Sequence, residues 1–186
     1  MASLDLPWWT YPAIDETERK LKRLQGRARV FEYGAGASTV WLAKRCSEVI
    51  SVEHDTGFAV SMRSTFAAHG NIKLMVVTDI AATGSANEAR SLRKGYEDRS
   101  FDDYVASISA HPGEFDLIVI DGRARTACLS MAIPRLAKDG VILFDNSDRE
   151  EYRARIESSG LEERRLRGMA PALPFPSQTS LLERRS

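Results

Sequence analysis

The stretch FEYGAGAST (residues 31–39) decides the fold. It ends an apolar run, ARVFEYG (28–34), on glycine, and Ser38 and Thr39 then open a helical pattern, STVWLAKRC (38–46), as capping candidates. An apolar strand, a glycine turn and a helix in that order form the first half of a strand–helix–strand unit. The same grammar recurs downstream. EVISVEHD (48–55), NIKLMVVTD (71–79), EFDLIVIDG (114–122) and GVILFDN (140–146) are strand-length runs that end in polar residues. Near-continuous apolar strands have both faces covered, as in a parallel sheet.

The segments between them read as helices. TGFAVSMRSTFAAHG (56–70) stops on a glycine, and SDREEYRARIESSG (147–160) is a charged surface helix. RTACLSMAIPRLAKDG (125–140) is amphipathic, with Pro134 kinking it or marking its last turns. The alternation predicts an α/β doubly wound sheet with right-handed crossovers. Two stretches break it. The 34 residues 80–113 exceed one crossover: DDYVASISA (102–110) reads as the crossover helix, and the rest is either a lid or a surface loop. At the C-terminus LEERRLRG (161–168) and QTSLLERR (178–185) read as strands joined by MAPALPFP, with no helix between, so they pair antiparallel at the sheet edge. That makes seven strands in a single domain, 1–186, in which residues 1–25 form an aromatic arm and one helix.

Composition narrows the function. Lys and Arg number 26 and Asp and Glu 26, so the formal net charge is zero, without the basic surplus of a nucleic-acid clamp. Hydrophobic residues make up 43% and no aliphatic run approaches the roughly 18 residues of a membrane span. Cys46 and Cys128 have no metal-ligand spacing and read as free thiols; with no signal-peptide pattern at the N-terminus, the expectation is a cytoplasmic protein.

In an open α/β sheet, ligands bind beyond the carboxyl ends of the strands, where strand order reverses. Those ends carry Glu32 with Gly34 and Gly36, then Glu53, Asp79, Asp121, and Asp145 with Asn146. The glycines permit a tight turn and a close ligand. Glu53, 17 residues after Gly36, is placed to accept hydrogen bonds from a ribose diol. A single such acid is often only a helix cap; the set in register points to a nucleotide-type cofactor. The position of a dinucleotide fingerprint's third glycine is Thr39, followed by Val40 and Trp41, a start better suited to a cofactor with an amino-acid tail than to NAD. An NAD-dependent oxidoreductase and a non-catalytic nucleotide-binding module remain the alternatives.

FEYGAGAST resembles the first motif of class I S-adenosylmethionine-dependent methyltransferases, and SVEHD (51–55) resembles their second. The terminal strand pair is similar to the antiparallel seventh strand of that Rossmann-like fold beside its sixth. The resemblance implies methyl transfer from S-adenosylmethionine to a small-molecule acceptor. It implies that Glu32 holds the methionine ammonium, directly or through water, that Gly34 and Gly36 line the methionine tail, and that Ser38 and the adjoining helix start meet its carboxylate. Glu53 would take the ribose hydroxyls, Asp79 the adenine amino group and Ile80 its face, with His54 either beside the ribose or adenine or simply at the surface.

Asp121 with Asp145 and Asn146 further resembles the metal ligands of catechol-type O-methyltransferases, which implies Mg²⁺ and a catalytic role for the three. The alternative is that Asp145 and Asn146 cap the next helix or bind substrate. That family's lysine base, three residues after its first Asp, is Ala124 here, flanked by Arg123 and Arg125, which either bind an acidic group or are solvated. Trp8, Trp9, Tyr11 and Phe175 either roof an acceptor site or pack the arm onto the core or a partner subunit, which leaves a homodimer open.

Overall fold

The computed structural model describes residues 6–86, 88–171 and 173–185. The first residues of the expected arm (1–5), Asn87 of the 80–113 stretch, Ala172 of the proline-rich connector and Ser186 lie outside them.

Helix α1 (Tyr11–Arg23) precedes strand β1 (Arg29–Tyr33), α2 (Ala37–Ala43), β2 (Glu48–Glu53), α3 (Thr56–Ala67) and β3 (Ile72–Val76). Two short strands follow, β4 (Ile80–Ala81) and β5 (Arg99–Ser100), then α4 (Asp102–Ala106) and a 3₁₀ turn over Ser107–Ala110. The chain continues through β6 (Phe115–Ile120), α5 (Arg125–Ala132), β7 (Leu136–Asp145), α6 (Glu150–Glu157), β8 (Glu162–Ala170) and β9 (Leu173–Glu183). The seven long strands form one sheet in the order β3-β2-β1-β6-β7-β9-β8. The first five of these are parallel; β9 runs antiparallel to β7 and to β8. This is the mostly parallel, doubly wound sheet with an antiparallel end pair that the sequence predicts.

Alternation along the strands sorts the core into two layers. Phe31, Tyr33, Ile50, Val52, Ile118, Ile120, Ile142 and Phe144 face the layer of α4, α5 and α6, where they meet Tyr104, Cys128, Leu129, Tyr152 and Ile156. Val30, Val49, Leu117, Val119, Val141 and Leu143 face α1 and α2, packing with Trp9, Ile14, Leu21, Trp41 and Leu42. Trp9 sits edge-on to Trp41 with ring centroids 6.0 Å apart. Thr10 pins the arm to the antiparallel pair: its N–H donates to Thr179 Oγ1 (3.3 Å) and its hydroxyl to the Leu166 carbonyl (3.0 Å).

Three boundaries differ from the sequence reading. The helix expected over 125–140 ends at Ala132 because Pro134 turns the chain into a 3₁₀ turn, and β7 begins at Leu136 rather than at Gly140. The helix expected from Ser147 starts at Glu150. The terminal strands run into the connector, with Ala170 opposite Leu173, and β9 accommodates Pro174 and Pro176 because it projects beyond β7 there.

Strand order reverses between β1 and β6, and the backbones leaving these two strands nearly touch. The Asp121 N–H donates to the Tyr33 carbonyl (3.0 Å). Gly34 has φ 95°, and a Cβ on it would stand 2.8 Å from the Gly122 Cα. A Cβ on Gly122 would stand 2.0 Å from the Tyr104 hydroxyl, which is wholly buried. Glycine at both positions lets the strands meet at the switch point. Gly122→Ala is expected to cost about 1–3 kcal/mol of stability, as overpacking in a filled core does; thermal melts should show a lower midpoint.

Candidate functional site

A cavity of about 480 Å³ opens at this switch point, beyond the carboxyl ends of β1, β2, β6 and β7. Gly34–Ser38, Glu53, His54, Asp121 and Asn146, all named from the sequence, line it. The Glu53 carboxylate, 5% exposed, is fixed by backbone donors: His54 N–H and Asp55 N–H reach Oε1 at 2.8 Å each, and Ala35 N–H reaches Oε2 at 3.2 Å. Its remaining acceptor capacity is available to a ligand with paired hydroxyls. His54 Nδ1 lies 2.7 Å from Glu53 Oε1, and Nε2 lies 3.3 Å from the Tyr96 hydroxyl. His54 thus stands between the carboxylate and the 80–113 stretch rather than at the surface. Asp55 caps α3 through the Phe58 N–H (2.8 Å).

Other expected residues turn away from the cavity. Glu32 is fully buried on the α2 face of the sheet, opposite Ser51 in register. It accepts hydrogen bonds from the hydroxyls of Ser38 and Ser51, and from Thr39 at 2.6 Å. Thr39 Oγ1 in turn accepts the Gly36 N–H at 2.9 Å. Glu32 is therefore a tie beneath the glycine loop, one layer behind the cavity wall. Burial pushes its carboxyl up to about 7, against the three hydroxyls that favour the ionised form.

Asp79 and Ile80 are likewise outside the cavity. β3 ends at Val76, three residues before Asp79, whose carboxylate pairs with Arg99 while its carbonyl accepts from Arg99 Nη2 (2.8 Å). Ile80 belongs to the β4–β5 pair and is 54% exposed. The wall in that region comes instead from Arg90–Arg93, part of the 80–113 stretch that the sequence leaves as either a lid or a surface loop.

Asp145 is buried, accepts from Thr179 Oγ1 (2.7 Å), and does not line the cavity. Burial, then the nearby Asp121 charge, pushes its carboxyl above the usual carboxylate range, against the pull of the Arg125 guanidinium. Arg125, 7% exposed, stitches the ends of β6 and β7 together. Nε donates to the Gly122 carbonyl (3.1 Å), Nη1 to the Asp145 carbonyl (2.5 Å), and Nη2 to the Asp121 carbonyl (2.9 Å) and Oδ1 (2.8 Å). Its Nη1 lies 3.9 Å from Asp145 Oδ2. Arg125 is thus internal, neither solvated nor free for a substrate acid. Asn146, with φ 51°, points its Oδ1 at Arg149 Nη2 (2.9 Å).

The aromatic arm divides its work: Trp9 is core, Trp8 lines the cavity at 54% exposure, and Tyr11 and Phe175 are exposed outside it. Trp8, Phe58, Arg149 and Tyr152 complete walls that strand-end reasoning did not reach, because none follows a strand directly.

A family model for the methyltransferase domain matches residues 31–147, from the start of the glycine-loop motif to just past Asn146. The chain belongs to this methyltransferase family. No curated protein sequence matches it. Solved structures share its fold. The O-methyltransferase TomG from Streptomyces achromogenes, involved in tomaymycin synthesis, has a TM-score of 0.66 at 16% identity, over 98% of this chain and 84% of TomG. A methyltransferase-like protein from Silicibacter pomeroyi has 0.58 at 21%, over 99% and 92%. The N-methyltransferase NodS from Bradyrhizobium japonicum has 0.58 at 13%, over 95% and 98%. The fold is that of the class I S-adenosylmethionine-dependent methyltransferases, as the sequence motifs imply.

The raised Glu32 carboxyl has a measurable consequence. With its ordinary value at 4.5 and the folded value about 7, Glu32 favours folding fully below pH 4.5 and loses that contribution as pH rises to 7. Relative to Glu32→Gln, the wild type should lose about 3 kcal/mol of stability across that range and none above it. Urea titrations of both proteins between pH 4.5 and 8 check the gap.

Proposed function

We propose that this methyltransferase passes the methyl group of S-adenosylmethionine to a small-molecule acceptor, without a metal ion. The observation that carries the cofactor reading is Glu53: a buried carboxylate, oriented by three backbone donors, in a cavity beside a glycine loop. S-adenosylmethionine, when bound, supplies a methyl group on a positively charged sulfur, which departs as a neutral thioether while the acceptor takes the methyl and releases its proton to solvent. Glu53 takes the ribose diol, and the Gly34–Ser38 loop takes the methionine tail. Asp121 and Asn146 stand where the acceptor meets the donor and hold it in line. Such positioning can lower a bimolecular barrier by several kcal/mol. Asp145 acts behind them, holding the β7 end through Thr179.

The residues present do not fit Mg²⁺. Asp121 and Asp145 already share the buried guanidinium of Arg125, and a divalent ion between them would meet that charge in a low-dielectric setting. Asn146 is turned to Arg149.

A cavity of this size suits a small acceptor rather than a nucleic acid or a membrane, and no helix among the described residues is long and apolar enough to cross one. The buried, unpaired Cys46 and Cys128 suit the reducing cytoplasm.

Calorimetric titration with S-adenosylhomocysteine should give saturable binding, and Glu53→Ala should weaken it by about tenfold or more, a loss of about 1.4 kcal/mol or more. Binding of NAD in its place would overturn the reading. EDTA and Mg²⁺ should leave turnover or homocysteine-ligand affinity unchanged, and a Mg²⁺ requirement abolished by Asp145→Ala would restore the metal.

A further inference from the structure

Charge is distributed unevenly around the cavity. The acids that line it are committed: Glu53 and Asp55 to backbone N–H groups, Asp121 to Arg125. Two arginines on the wall after β6 and β7 have no carboxylate partner among the described residues. Arg123 is half-buried with its guanidinium 4.9 Å over the Tyr96 ring, and its Nε is buried without a hydrogen-bond partner. Arg149 is exposed; among the described residues its guanidinium bonds to the neutral Asn146 Oδ1, and it lies 6.0 Å from the Tyr152 ring. Across the opening, Arg93 likewise forms no ion pair among the described residues, and Trp8 offers a flat apolar surface.

Guanidinium groups gathered at one cavity repel each other, and each presents a fork of donors matched to an oxyanion. Stacking on Tyr96 and the bond to Asn146 orient Arg123 and Arg149 without neutralising them. Resting on the methyltransferase reading above, we propose that the acceptor carries an anionic oxygen group, a carboxylate or a phosphate monoester, seated by Arg123 and Arg149, with its apolar body against Trp8. The anionic group orients the acceptor toward the methyl donor; it need not itself be the atom methylated. Neutral analogues of the same shape leave the two arginines unpaired and bind less well.

The test uses the full chain saturated with S-adenosylhomocysteine and three probes of similar shape: benzoate, phenyl phosphate and neutral benzamide, titrated by ligand-observed NMR. Either anion should bind about tenfold or more tightly than benzamide, the gap expected of a charge-assisted pair. A benzoate preference assigns the carboxylate source, and a phenyl phosphate preference the phosphate. Arg149→Gln and Arg123→Gln should each erase most of the gap while S-adenosylhomocysteine affinity stays within about twofold. Arg149 is exposed, so its substitution tests the site without disturbing the core. Equal binding of anion and amide overturns the proposal. So does loss of S-adenosylhomocysteine affinity in the arginine variants, because the guanidinium groups would then serve the cofactor's own carboxylate. Failure of the wild type to bind S-adenosylhomocysteine at all would instead sink the underlying methyltransferase reading.

Discussion

The buried carboxylate of Glu32 is the constraint on which the cofactor edge depends. It gathers hydroxyls from Ser38 and Thr39 at the start of α2 and from Ser51 on the neighbouring strand β2. Thr39 passes the tie on to the backbone N–H of Gly36, so the glycine loop is hung from a carboxylate inside the sheet. An ionisable group in that position is costly unless fully bonded. The loop therefore has one arrangement that satisfies all its members, and that arrangement leaves its outer surface clear for a ligand. Two residues along β2, on the same face as Ser51, Glu53 reaches the cavity itself. One face of one strand thus supplies both the partner of the Glu32 anchor and the buried carboxylate at the cavity.

Arg125 performs a parallel task on the other side of the switch point. Its donors gather the carbonyls of Asp121, Gly122 and Asp145 together with the Asp121 carboxylate, and so close the ends of β6 and β7. The chain's zero net charge is assembled partly from such internal pairs, which leaves the cavity wall richer in arginine than the count of strand-end acids suggests. The sequence sets a row of acids at the strand ends, Glu32, Glu53, Asp79, Asp121 and Asp145. The structure withdraws Glu32, Asp79 and Asp145 into hydroxyl, arginine and threonine contacts instead.

The parallel strands, their order of appearance and the antiparallel end pair were legible because strands covered on both faces need continuous apolar runs, and those runs are unmistakable in ARVFEYG and DLIVI. Glu53, Gly34, Gly36 and Asp121 were legible for the same reason: they stand where those runs stop. Glu32 lies within β1, where alternation assigns it to a sheet face rather than to the edge; its register partner Ser51 is the sign of that placement in the sequence. Asp79 stands away from the cavity because β3 ends three residues before it and the chain leaves the sheet. Arg90–Arg93, Trp8 and Arg149 follow no strand, and their approach to the cavity arises from tertiary packing that no local period encodes.

The central claim, that this cavity seats S-adenosylmethionine with Glu53 on its ribose, is tested most directly by a crystal structure of the S-adenosylhomocysteine complex. The account predicts both ribose hydroxyls within hydrogen-bond distance of Glu53, the amino-acid tail along Gly34–Ser38, and Glu32 still bonded to Ser38, Thr39 and Ser51. A nucleoside bound elsewhere, or a ribose that leaves Glu53 untouched, would contradict it.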